Sequence, residues 1–379
     1  MKILVFANFP PFVMGGAENQ VARLVEAWLD MGHIVEIAGY GIPSRKVYVG
    51  RHAIRLHHLH VFKAAGRPGR GLTYLLSSLL FLSLHGKRFD IIYTRGLGEA
   101  ALSVSIAKMM SLCDLPLVAC PINARGHGDI NFITSIPGNS YLIKLINHYC
   151  NGINIIARAI KDDLEETGIT VSDLAEIPNG IPVLPLVRTD RDPGARHLLF
   201  TGRLSTQKGL DLLIRSLSEL RQEGFDFKCD IIGDGPLKTA LQKQIDDAPL
   251  DGCINLKGPV EGSGIRQLLL QADVFVMPSR YEGMSNSVLE ALEAGMPVLV
   301  TRCGGIDHYI STENGWTCPP DDQYALTDSL RRMLLTPYSE LQSMGKVNRE
   351  IVERQFSIEQ TARANIDFFN SVRQRYKRS

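Results

Sequence analysis

The 379-residue chain has no Cys-x-x-Cys pair among its seven cysteines, no low-complexity tract, and no apolar run near the roughly 20 residues of a membrane-spanning helix. Each absence narrows the reading. The cysteines (113, 120, 150, 229, 253, 303 and 318) fall in or beside apolar strand-like runs, so reduced core thiols of a cytoplasmic protein are expected, with no disulfide framework. A net charge of +1 gives no bias towards nucleic acid. The apolar start Met1-Lys2-Ile3-Leu4-Val5-Phe6 breaks at Asn8-Phe9-Pro10-Pro11, too early for a signal peptide. What remains is ordinary globular composition, 45% hydrophobic and 21% charged, in a chain long enough for two domains with their own cores.

Charge is unbalanced in one place. Residues 45–95 carry ten Lys and Arg (45, 46, 51, 55, 63, 67, 70, 87, 88 and 95) against a single acid, Asp90, with five histidines among them. A mostly apolar helix over Leu72–Leu84 lies between the basic clusters. Such a segment is either a solvated basic face or a contact for an anionic membrane surface or phosphorylated acceptor, with Lys63, Arg67 and Arg70 the cations nearest the helix.

The rest alternates short apolar runs with helical stripes, the pattern of doubly wound α/β domains. Ile3–Ala7 is a buried strand, the loop with Gly15 and Gly16 follows, and a helix carries Val21, Leu24, Val25, Trp28 and Leu29 on one stripe. Paired glycines there permit close approach of another molecule, or make a plain turn. Arg95-Gly96-Leu97-Gly98-Glu99-Ala100-Ala101 fits a dinucleotide fingerprint, but no acid ends the following strand, so NAD is refused. His127, between two glycines after the strand Leu117–Cys120, is a ligand contact or a surface histidine. Residues 129–150 read as irregular. Pro182–Arg196 reads as linker, dividing a domain of residues 1–183 from one of residues 197–356, with a helix over 357–379.

Three strand-to-helix turns in the second domain carry chemistry. The first holds Arg203 and Lys208; the second, Gly233 and Gly235; the third runs from Pro278 through Glu282, Ser285, Asn286 and Ser287 to Glu290. Lys208 at a helix entry opposes the helix dipole, a conflict that an anionic ligand would resolve. The small residues 285–287 open a helix whose unpaired N–H groups suit phosphate. Glu282 and Glu290 would then reach hydroxyls on either side of it. Ser287-x-x-Glu290 is also a capping-box pattern, which would make Glu290 a helix stabiliser only.

Gly-Arg…Lys-Gly, Gly-x-Gly and Glu-x7-Glu in this order resemble family 4 glycosyltransferases, retaining enzymes of GT-B fold. The resemblance implies two Rossmann-like domains facing a cleft and a C-terminal helix crossing back to the first. It implies transfer of a sugar from a nucleoside diphosphate donor, UDP- or GDP-linked, to a glycan, lipid-linked or small-molecule acceptor in polysaccharide or glycoconjugate biosynthesis. Glu282, His127, Arg203 and Lys208 take catalytic positions. Gly15, Gly16, Gly233, Gly235, Val260, Ser285, Asn286, Ser287 and Glu290 join Arg203, Lys208 and Glu282 around the donor. No metal or other cofactor is implied, and the one Asp-x-Asp, Asp190-Arg191-Asp192, sits in the linker. Location would be cytoplasmic, with peripheral attachment to the inner membrane face. A sugar-nucleotide epimerase of similar fold and a catalytically silent partner protein are the alternatives.

Overall fold

A computed structural model of the chain describes residues 1–62, 66–124, 128–186, 195–250, 252–260 and 262–378, the side chains of 67, 68, 262 and 263 excepted. His127, Lys63 and the Asp-x-Asp of the linker lie outside the described residues, as does the Arg67 side chain. The chain divides into two units, Met1–Pro182 with Ile358–Ser379, and Val183–Ser357.

The first unit runs β1 (Lys2–Phe6), α1 (Gly16–Asp30), β2 (Ile34–Gly39), β3 (Arg45–Val49), β4 (His52–His58), α2 (Gly66–His85), β5 (Ile91–Arg95), α3 (Glu99–Met109) and β6 (Leu117–Cys120). It continues through α4 (Asp129–Thr134), α5 (Asn139–Tyr149), β7 (Gly152–Ile155), α6 (Arg158–Thr167) and β8 (Asp173–Glu176). The sheet order is β3-β4-β2-β1-β5-β6-β7-β8, parallel except for the antiparallel β3–β4 pair. Central strands such as β5 are buried at every position, because helices cover both faces. One sequence expectation fails here. Residues 129–150, expected to be irregular, hold α4 and α5, of 6 and 11 residues, too short for a long periodic signal. The basic segment also contains the antiparallel β3–β4 hairpin, whose many charged residues hide its period-two pattern.

The second unit runs β9 (Arg196–Thr201), a 3-10 turn (Thr206–Lys208), α7 (Leu210–Gln222), β10 (Phe227–Ile232), α8 (Lys238–Asp246), β11 (Ile254–Lys257), α9 (Gly262–Gln271) and β12 (Val274–Met277). Then come α10 (Asn286–Glu293), β13 (Val298–Thr301), β14 (Gly315–Cys318), α11 (Gln323–Leu335), α12 (Tyr338–Ile351) and a π-helical turn, Val352–Phe356. Its parallel sheet is ordered β11-β10-β9-β12-β13-β14. Buried Glu293 accepts Leu184 N–H at 2.9 Å and pairs with Arg349 at 2.6 Å and with Arg266, tying the incoming chain to α10, α9 and α12.

α13 (Ile358–Tyr376) returns to the first unit. Its buried Ala362, Ile366, Phe369 and Val372 recur at helical spacing, and Phe369 meets Trp28 and Tyr93 at ring separations of 5.5 Å. Trp28 Nε1 donates to Ala362 O at 3.2 Å, so even the polar edge of the indole is satisfied.

Candidate functional site

In a parallel sheet the loops that follow the strands share one edge, and a crevice opens where the strand order reverses direction. In the second unit the reversal falls between β9 and β12. Lys208 follows β9, Glu282 follows β12, and the two side chains form an ion pair there, both largely shielded from solvent. Ser279 Oγ, itself buried, donates to the same Glu282 oxygen at 2.9 Å. The dipole conflict at Lys208 is therefore met within the protein: a carboxylate partners the lysine without any ligand. Glu282 thus has a structural task as well. The pair ties two site loops together.

A second connection holds the same loops in register. Arg280 clamps Asp211 in the first turn of α7 through two contacts of 2.9 Å, and also reaches Asp321 at 2.6 Å and Thr206 O at 2.7 Å. Burial pushes the Asp211 carboxyl up, but the Arg280 guanidinium outweighs it and holds the group below the usual carboxylate range. Arg280 N–H donates to Gln207 O at 2.7 Å and Gln207 Nε2 to Tyr281 O at 3.0 Å, completing a zipper between the turns. None of these positioning residues was singled out from sequence. Their signal, an arginine beside the Glu282 loop and an aspartate at a helix entry, is too common to select.

Arg203 is exposed, and its guanidinium has no ion pair among the described residues. The glycine turn after β10 packs on the same loop. Gly233 has φ +149°, and a Cβ there would lie 1.9 Å from Gly202 O; one at Gly235 would lie 2.4 Å from Leu204 O. These glycines serve loop-on-loop packing, locked by Leu204 N–H to Asp234 O at 2.9 Å. Val260 lies in the loop after β11, more than a third exposed.

Helix α10 starts one residue earlier than expected. Buried Ser285 is the N-cap, its side chain makes no capping bond, and Asn286 and Ser287 are the first two helical residues. Glu290 is consequently the fifth helical residue, outside capping-box register, so that purely structural reading is withdrawn. A helix N-terminus of this kind is where backbone N–H groups and the helix dipole suit an anion.

Gly15 and Gly16 belong to the first unit: extended Gly15 is the N-cap of α1, and Gly16 its first residue. Strand order there reverses between β1 and β5, where a cavity of about 380 Å³ opens. Asn8, Glu18, Tyr40, Arg70, Glu99 and Asp129 are among its lining residues. Asp129 accepts N–H groups of Leu97 and Ile122 at 3.1 and 3.3 Å, and burial pushes its carboxyl up. The Gly96–Gly98 turn thus spends a donor on the protein's own carboxylate. Arg70 lines this cavity and pairs with Glu99 at 3.7 Å, so it is engaged there and does not head the lipid-facing set of cations expected from sequence.

The family described as Glycosyltransferase Family 4 matches residues 14–183, and that described as Glycosyl transferases group 1 matches residues 195–336. A putative colanic acid biosynthesis glycosyltransferase of Escherichia coli (strain K12), WcaL, is 27% identical over 50% of this chain and 46% of its own length. The amylovoran biosynthesis glycosyltransferase AmsK of Erwinia amylovora is 34% identical over 36% and 35%. The chain thus spans less than half the length of these two relatives. The 2-deoxystreptamine N-acetyl-D-glucosaminyltransferase of Niallia circulans is 23% identical over 85% of this chain and 89% of its own. Among solved structures, Anabaena HepE in complex with UDP and glucose superposes with a TM-score of 0.76 at 16% identity, over 98% of this chain and 100% of its own. Sucrose-phosphate synthase from Thermosynechococcus elongatus does so at 0.80 and 17%, over 100% of each. At such identities the structures speak to the fold, two Rossmann-like α/β domains. Together the two family matches cover most of the sequence, and the chain belongs to glycosyltransferase family 4, built on the GT-B fold.

Proposed function

We propose that the protein transfers a glycosyl group from a nucleoside diphosphate sugar to a hydroxyl of a glycan, lipid-linked or small-molecule acceptor. One observation carries this reading: the Lys208–Glu282 pair at the strand-order reversal of the second sheet, with unpaired Arg203 beside it on the same loop. A diphosphate entering there draws Lys208 towards itself and finds Arg203 and the first-turn N–H groups of α10 as further donors. As the bond from the anomeric carbon to the leaving phosphate oxygen breaks, negative charge grows on that oxygen, and these groups hold it. The acceptor oxygen bonds the same carbon on the same face, and its proton passes to the leaving phosphate. Configuration is retained, and the positive charge comes from side chains and a helix end, with no metal.

Glu282, fixed by Ser279, accepts hydroxyls of the transferred sugar, and Glu290 those of the ribose. In the first unit, the carboxylates, amide and tyrosine of the 380 Å³ cavity suit a polyhydroxylated acceptor. Support for a sugar-nucleotide donor also comes from relatives named for polysaccharide synthesis and from UDP in a structure of the same fold.

The test is incubation with a panel of radiolabelled UDP- and GDP-sugars, reading hydrolysis and transfer to saccharide acceptors. One donor turned over with release of its nucleoside diphosphate is the expected result. Interconversion of sugar epimers without transfer would assign the chain to an epimerase. Binding of no nucleotide would leave a silent GT-B protein.

A further inference from the structure

Helix α2 buries Tyr74, Ser78, Phe81 and Leu82 against the first unit. Its opposite face is not polar. Leu72, Leu76, Leu80 and Leu84 stand there between 55 and 67% exposed, four residues apart. Successive leucines turn by only about 40° and span about 18 Å of helix, so they form one stripe. Phe62, also exposed, lies near its start: Phe62 N–H donates to Thr73 Oγ1 at 3.0 Å, which places the phenylalanine backbone beside Leu72, two turns into α2. A monomeric soluble protein seldom leaves a contiguous row of large aliphatic side chains to water.

The surround of the stripe is cationic. Exposed Lys87 stands in the turn that ends the helix, beside Arg88, whose guanidinium is paired with Glu36 at 3.0 Å. His57 of β4 packs on Phe81 and His85 of α2, at ring separations of 4.9 and 5.9 Å, which fixes the side of the sheet that α2 covers. Arg55, two residues before His57, projects from that same side, and Lys46 is its cross-strand partner in β3. Tyr48, 80% exposed, follows Lys46 at the same alternation. No helix among the described residues is long and apolar enough to cross a membrane.

We propose that this face docks on an anionic lipid bilayer, with α2 lying in the plane of the headgroups, its leucines in the acyl boundary and the flanking cations on lipid phosphates. A second copy of the chain fits less well, because a two-fold contact along α2 would set the same cations against each other. The proposal does not rest on sugar transfer, since its readouts require no turnover.

The test uses the full chain with vesicles of neutral phosphatidylcholine, with or without roughly 30% phosphatidylglycerol. Wild type is expected to sediment with the anionic vesicles and to be released as salt rises from about 0.05 to about 0.5 M. Changing all four leucines to Gln, a good helix former, is expected to weaken binding at least about tenfold with an unchanged melting temperature. In a Leu80→Trp variant, emission should shift to the blue with vesicles and be quenched by acyl-brominated lipid. Absence of binding, binding untouched by the four-leucine variant, or no quenching would each overturn the proposal. So would a lipid-free dimer that the variant dissociates, which would assign the stripe to a second copy.

Discussion

Lys208 and Glu282 satisfy each other in a shielded pair, so removing either leaves a partly buried charge without its partner. Lys208→Ala is expected to lower kcat/KM by about two to three orders of magnitude, the effect of losing one charge-stabilising donor in a closed site. It should also cost about 1–3 kcal/mol of stability, because the shielded Glu282 carboxylate loses its cation and keeps the Ser279 hydroxyl. Urea unfolding beside steady-state kinetics checks both, and full turnover would remove Lys208 from the chemistry. Glu290 is a different case, lying past the capping positions of α10. Glu290→Gln should therefore hold its unfolding midpoint while losing affinity for the donor nucleotide in calorimetry. A fall in stability at unchanged affinity would give the residue a structural role only. Both carboxylates could be picked from sequence, Glu282 in the loop after a strand and Glu290 in the helix that follows. The pairing of Glu282 with Lys208 could not, since the two lie 74 positions apart and only the folded sheet joins them.

The turns that follow β9 and β12 hold their shape through the Arg280 clamp on Asp211 and Asp321. Asp211 has a folded pKa below its unfolded value. Its stabilisation is present above the unfolded pKa, near 4, and is lost as pH falls through the folded one. The gap in melting temperature between wild type and Asp211→Asn should be widest near neutrality and close below about pH 4. A gap constant down to pH 3 would show that the ion pair contributes nothing measurable. Helix boundaries show the same dependence on context: Ser287 heads a capping-box pattern, yet the chain turns helical at Asn286 because Ser285 is already buried in the extended cap conformation.

α13, last in the chain, supplies part of the first unit's core, which makes that unit discontinuous in sequence. Burial of Phe369, Val372, Ala362 and Ile366 beside Trp28 contributes several kcal/mol, at about 1.5–3 for each large apolar side chain. Residues 1–182 alone are expected to be insoluble or molten, and adding 358–379 as a separate peptide should restore cooperative melting. A fragment 1–182 that melts cooperatively by itself would show that α13 is dispensable to the core.

Apolar runs of period two and stripes of period 3.6 are local properties, so the sequence by itself determined the alternation of strands and helices, the α/β class and the turns that carry charge. It also determined that α2 is a helix rich in leucine among cations. Only the tertiary structure decided which face of that helix is left to water. It likewise decided that Arg70 turns to the cavity and Glu99, and that residues 129–150 fold into two short helices. Gly233 is needed for a carbonyl 1.9 Å from where its Cβ would be, which no local pattern reveals. These outcomes depend on strand order and on contacts between distant segments, and a linear pattern of hydrophobicity contains neither.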